Sequence, residues 1–160
     1  MEKSSSRRRR LVREIAYELD QLQRVAQTAA ELSALSEQER RPWDAAAAAK
    51  YVADLYLGFE NLCKRRYRYL GISAPSGPDS HGEMLNDFLG DPALGGSLDD
   101  AVVTRLKKYL RFRHRFSHGY GYEVNWEVVE EPLRLIPETV DLLARIWQRW
   151  IARLPAENNP

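Results

Sequence analysis

The sequence predicts an all-α protein, an up-and-down bundle of four to five helices. Three observations carry that prediction. Apolar residues recur at alternating spacings of three and four. No stretch alternates with the period of two that a half-buried strand requires. The periodic stretches are parted by short runs rich in glycine and proline.

In the first periodic stretch Ile15, Leu19, Leu22, Ala26 and Ala29 form the stripe of a helix that packs on others. Its basic start, through Arg7, Arg8, Arg9 and Arg10, is expected to be disordered, so residues 1–10 are set apart from a single domain over 11–154 and a tail at 155–160. Ser36 and Glu39 offer a capping box, and Pro42 to Asp44 break or restart the chain. A second long helix carries Val52, Leu55, Phe59 and Leu62 on one face and ends at Gly71. Residues 71–79 read as a loop, 81–89 as a short helix and 90–96 as another loop. Ser97, with Asp100 three residues on, is expected to cap a helix from 98 to about 117, closed by Gly119 and Gly121. Asn125 is expected to cap a short helix that Pro132 and Pro137 interrupt. The last helix, about 138–154, aligns Leu143, Trp147, Trp150 and Leu154. The two tryptophans fit a core or an interface better than a base-stacking platform.

With 160 residues, 44% of them hydrophobic and 29% charged, the composition is that of one soluble globular domain. Membrane spans are not expected, since no apolar run approaches the roughly 20 residues one needs. Nor is a signal peptide expected, because no apolar stretch follows the arginines. One cysteine, Cys63, makes neither an internal disulfide nor a cysteine-pair zinc site. A cytoplasmic protein fits these features. The net charge is only +1, but it is segregated. Residues 101–122 hold Arg105, Lys107, Lys108, Arg111, Arg113 and Arg115 with no acid, and Lys64, Arg65, Arg66 and Arg68 form a second cluster. Such clusters are either solvated helix faces or a groove for phosphates.

The fourth helix holds the candidate chemistry. Its apolar stripe runs Val102, Leu106, Tyr109, then Arg113, then Phe116. An arginine on a packing stripe is costly unless it is paired or lines a polar cleft. It therefore either snorkels or salt-bridges within the bundle, or aims its planar fork at a phosphate. His118, five residues on, lies about 140° round a regular helix. The two converge only if the helix ends near residue 117 or if each faces its counterpart across a dimer. His114 and His118 share a face, and His81 or Glu83 from another helix is able to complete a metal site. However, Arg113 and Arg115 would repel a cation, and the glutamate of a His-Glu-x-x-His motif is missing. Metal and other cofactors are not expected. Ser117 beside His118 lacks the glycine elbow of a nucleophilic serine. RNA, by contrast, carries its own nucleophile, the 2′-hydroxyl, and its cleavage needs one group to move protons and one to stabilise charge at phosphorus. A histidine and an arginine are of the right kind.

The motif Arg113-x-x-x-x-His118-x-Tyr120 resembles the signature of HepT toxins in the HEPN superfamily of all-α ribonucleases. Tyr51 to Arg65, with Gly58-Phe59-Glu60-Asn61-Leu62, is similar to that family's second helix; His81-Gly-Glu-Met-Leu, Phe112-Arg-His and Tyr120-Gly are similar to a HepT-like subfamily. The likeness spans roughly residues 45–135. It implies a homodimer whose two motifs line one cleft that cuts RNA, tRNA or mRNA, with Arg113 and His118 as the catalytic pair and His114 in support, where asparagine is common. Arg111, Arg115, Lys107 and Lys108 are then the phosphate-binding residues. Glu60 is either a further polar site residue or an exposed or salt-bridged glutamate. The resemblance also implies a type VII-like toxin–antitoxin pair, in which a minimal nucleotidyltransferase of the MntA kind inhibits the toxin by moving AMP from ATP onto Tyr120. The alternative is a non-catalytic HEPN module that binds RNA or nucleotide, or that acts as the transferase's partner.

Overall fold

The computed structural model describes residues 2–117 and 124–155, with the backbone alone at residues 2–5 and 117. Six helices follow one another, and no strand occurs among the described residues: α1 (Glu2–Ser33), α2 (Asp44–Leu70), α3 (Ser80–Gly90), α4 (Asp100–Ser117), α5 (Trp126–Arg134) and α6 (Ile136–Ala152). The expected all-α bundle is therefore what forms, with α5 and α6 parted by Leu135 alone. No helix is long and apolar enough to cross a membrane.

The stripes read from the sequence are the core. Ile15, Leu19, Leu22, Ala26 and Ala29 of α1 are buried against Val52, Leu55, Phe59 and Leu62 of α2 and Leu143, Trp147 and Trp150 of α6, in one continuous apolar cluster. The tryptophans thus belong to the core. Helix α2 is central and touches every other helix. At Gly58 it comes so near α1 that an added Cβ would stand 2.5 Å from Leu22 Cδ2, a close approach that only glycine allows. Gly71, at φ 71°, ends α2 in the left-handed conformation, and its N–H and that of Ile72 return to the carbonyls of Arg68 and Tyr67.

Several local expectations need correction. The basic start is helical: α1 runs from Glu2, and Arg7 Nη2 donates to the carbonyl of Tyr69 at 2.8 Å. The cap of α4 is Asp99, whose carboxylate accepts from Val102 N at 2.9 Å, in place of Ser97. Ser36 and Glu39 do form their hydrogen bonds, but these close a turn and start no helix. Asn125 caps α5 as expected by accepting from Val128 N. Pro132 lies inside α5, Pro137 sits in the first turn of α6, and the break falls between them at Leu135. Gly119 and Gly121 lie outside the described residues.

The α1–α2 contact also explains why the basic start holds its place. Glu14 meets Arg10 at 2.9 Å, Arg68 at 3.5 Å and Arg65 at 3.8 Å, and Glu18, buried, meets Arg65 at 2.8 Å. Partial burial pushes the Glu14 carboxyl upward, but the Arg10 hydrogen bond and the charges of Arg68 and Arg65 outweigh it and hold the group below its ordinary 4.5. A carboxyl lowered on folding adds stability above its unfolded value and loses it as pH falls through the folded value. Glu14→Gln is expected to cost roughly 0.5–1 kcal/mol at pH 7, since the cluster is partly solvated. Urea unfolding across the pH range should show the gap closing below pH 4.5. A gap that persisted unchanged at pH 2.5, well under that value, would contradict this account of the pairing.

Candidate functional site

Glu60 lies mid-helix on α2 with 1% of its surface exposed, one residue after the core ring of Phe59. A carboxylate so buried requires partners. Two other helices provide them. His81, in the first turn of α3, places Nδ1 2.5 Å from Glu60 Oε1, and Arg113, in the last turns of α4, places Nη2 3.9 Å from Glu60 Oε2. The ring closes between these two partners: Arg113 Nη1 lies 3.2 Å from His81 Nε2. Three residues that stand 21, 32 and 53 positions apart in the chain thus meet in one contact.

The elements are held to make this meeting possible. Short α3 docks through buried Met84, Leu85 and Phe88, and Phe88 packs edge-on against Phe59 with centroids 5.0 Å apart. Phe88 also meets Trp147 of α6. Tyr67 donates to Asp87, and Arg66 pairs with Asp91 at 2.6 Å, fixing α3 and the loop after it to α2. On α4, Leu106 and Tyr109 are buried, and the Tyr109 hydroxyl donates to the Pro132 carbonyl at 2.8 Å. Burial pushes that phenol up to about 12. Beside the site, burial and then the charge of Glu60 push the Tyr56 phenol upward; its hydroxyl has no hydrogen-bond partner among the described residues.

Between the start of α3 and the end of α4 opens a cleft of about 620 Å³, lined by His81, Glu83 and Asn86 on one wall and by Arg111, Arg113, His114 and Arg115 on the other. Arg113 therefore leaves the packing stripe for a polar cleft wall and is paired within the bundle at the same time. Of the expected phosphate-binding residues, Arg111 and Arg115 line the cleft. Lys108 does not: it lines a separate groove of about 210 Å³ with Arg105, Phe112 and Glu131. Lys107 is exposed and lines neither. The cleft is also less purely basic than the α4 segment, since Asp79 and Glu83 join its rim. Glu60 proves to be a buried, salt-bridged glutamate in direct contact with the site. His118 and Tyr120 follow the end of α4 and lie outside the described residues.

His81 is the residue whose place the sequence does not reveal; there it enters as a possible metal ligand and as part of a segment similar to the family, with no role beside Arg113. Its ring now has both nitrogens engaged by a carboxylate and a guanidinium. Among the described residues no group of three His, Cys, Asp or Glu stands ready to hold a metal ion. Cys63 is buried, and burial pushes its thiol upward, so it offers no nucleophile here.

The family model described as HepT-like protein matches residues 47–154, which include the whole cleft and extend past residue 135, where the motif resemblance ends. No curated protein and no solved structure matches.

Removing one partner of a buried ion pair strands the other, at a cost of about 3 kcal/mol. Arg113→Ala is accordingly expected to lower the unfolding free energy by about that much, and Glu60→Gln in the same background to recover part of it. Equal urea midpoints for wild type and Arg113→Ala would show that Glu60 does not depend on this partner.

Proposed function

The chain belongs to the HepT-like family of the HEPN superfamily, and from that premise we propose that it is a metal-independent endoribonuclease and the toxin of a toxin–antitoxin pair. The observation that carries the reading is Arg113: a guanidinium held in a cleft wall, with Arg111 and Arg115 lining the same cleft. Arginine's planar fork suits a phosphate, and flanking arginines extend the attraction along a nucleic-acid backbone. His118 follows α4 by one residue. In the proposed reaction the RNA 2′-hydroxyl loses its proton and attacks the adjacent phosphorus, the P–O5′ bond breaks, and a 2′,3′-cyclic phosphate and a 5′-hydroxyl result. His118 takes part in the proton transfer from the 2′-oxygen to the leaving 5′-oxygen, and Arg113 stabilises charge on the phosphoryl oxygens. His114 supports the pair. DNA, lacking the hydroxyl, is not a substrate for this chemistry. In a homodimer two copies of the motif would share the cleft.

The second reading is a module that binds RNA or nucleotide without cutting it. What favours it is Glu60, whose carboxylate already engages the arginine. Loss of a positioned proton-transfer group costs about 10²–10⁴-fold. Purified wild type is therefore expected to cleave total cellular RNA in the presence of chelator, with His118→Ala slower by that factor. Binding of RNA by both proteins with cleavage by neither would establish the second reading instead.

Control is proposed to reside at Tyr120, with a minimal nucleotidyltransferase of the MntA kind as antitoxin. An AMP phosphate at Tyr120 would neutralise arginine charge and obstruct the cleft. Co-expression with such a transferase should raise the intact mass in AMP-sized steps and suppress toxicity. Tyr120→Phe should show no step; an unchanged mass pattern in that variant would place the modification elsewhere.

A further inference from the structure

We propose that His81 is a positioning residue, which fixes the guanidinium of Arg113 before any RNA arrives. The proposal rests on the ribonuclease reading for its kinetic consequence, but not for its structural one.

The argument starts from donors and acceptors. Arginine has N–H groups and no acceptor, so in the Arg113–His81 contact at 3.2 Å the guanidinium donates and His81 Nε2 accepts. A bare Nε2 leaves the ring proton on Nδ1. That nitrogen faces Glu60 Oε1 at 2.5 Å, an acceptor. One neutral tautomer therefore satisfies every contact in the ring. The other would set a donor against the guanidinium and a lone pair against a carboxylate. Glu60, 1% exposed, is the element that selects the tautomer.

Distances then decide which partner orients the arginine. Glu60 Oε2 stands 3.9 Å from Nη2, beyond the roughly 2.7–3.2 Å of an N–H···O hydrogen bond, so the carboxylate supplies charge but little direction. His81 supplies direction. A free arginine side chain has rotamer entropy to lose on engaging a ligand. A guanidinium tied at Nη1 has lost much of this already and keeps further N–H groups for the cleft. While this bond stands, Nε2 is covered and His81 is not itself a base, which is why its role runs through Arg113.

The test uses the full-length protein and two independent readouts. In ¹⁵N NMR the His81 Nδ1 is expected to be protonated and Nε2 bare, and the Arg113 guanidinium signals, resolved in wild type, should merge in His81→Ala as the group rotates freely. A protonated Nε2, or arginine signals indifferent to His81→Ala, overturns the proposal whatever the enzyme does. In cleavage of total cellular RNA, His81→Ala is expected to lose about 100-fold, mostly in kcat. His81→Gln, whose amide carbonyl also accepts from arginine, should recover part of this. The decisive comparison is the Arg113→Lys background, which keeps the charge beside Glu60 but lacks the fork: there His81→Ala should cost less than about threefold, because interacting residues are non-additive. Equal losses in both backgrounds mean a merely structural or independent role and overturn the proposal. If wild type cuts no RNA, the ribonuclease reading fails by itself and the positioning role is decided by the NMR arm.

Discussion

A carboxylate removed from water in the middle of a helix imposes a condition that the rest of the fold must meet. Glu60 is buried within α2, and its charge is tolerable only if hydrogen-bond donors and a cation come to it. They come from the start of α3 and the end of α4, neither of which is adjacent to it in sequence. Placing them requires α3, only eleven residues long, to be held firmly from outside. The run of rings from Phe59 through Phe88 to Trp147, with the Tyr67–Asp87 and Arg66–Asp91 contacts, does this. Core packing and site geometry are thus one problem in this protein: the same aromatic contact that buries Phe88 sets the height of His81.

Much of this was legible in the sequence because a helix advertises its buried face. The stripes on α1, α2 and α6 are the core, and the position of Arg113 on the α4 stripe already stated that this arginine points inward. What spacing does not carry is the identity of a partner on another helix. Glu60 and His81 carry no mark of one another in their own segments; their pairing arises only when three helices converge. The order of the basic start of α1 is hidden in the sequence for a related reason. Arg7 is tied to the Tyr69 carbonyl, 62 residues away, and Glu14, the partner of Arg10, is held in turn by Arg65 and Arg68 of α2.

The basic segment of α4 shows the limit of counting charges. Read along the chain it is a single acid-free block, yet a helix turns about 100° per residue and distributes its members. Arg111, His114 and Arg115 reach the cleft, Lys108 turns toward α5, and Lys107 lies a turn below the cleft's edge. Acids that the block lacks return from α3. The electrostatic character of the site is thus set by which turns of α4 face α3, and the composition of the segment is a poor guide to it.

The closed ring of Glu60, His81 and Arg113 also bears on how such a site can change over generations. Each member completes the hydrogen bonding or charge of the other two, so a lone substitution at any of them strands a buried carboxylate or an unanswered donor. Drift at these positions is therefore coupled: one must wait on another. The exposed arginines around them carry no such bond. Lineages are free to retune the cleft's rim residue by residue, while the ring beneath changes all together or stays as it is.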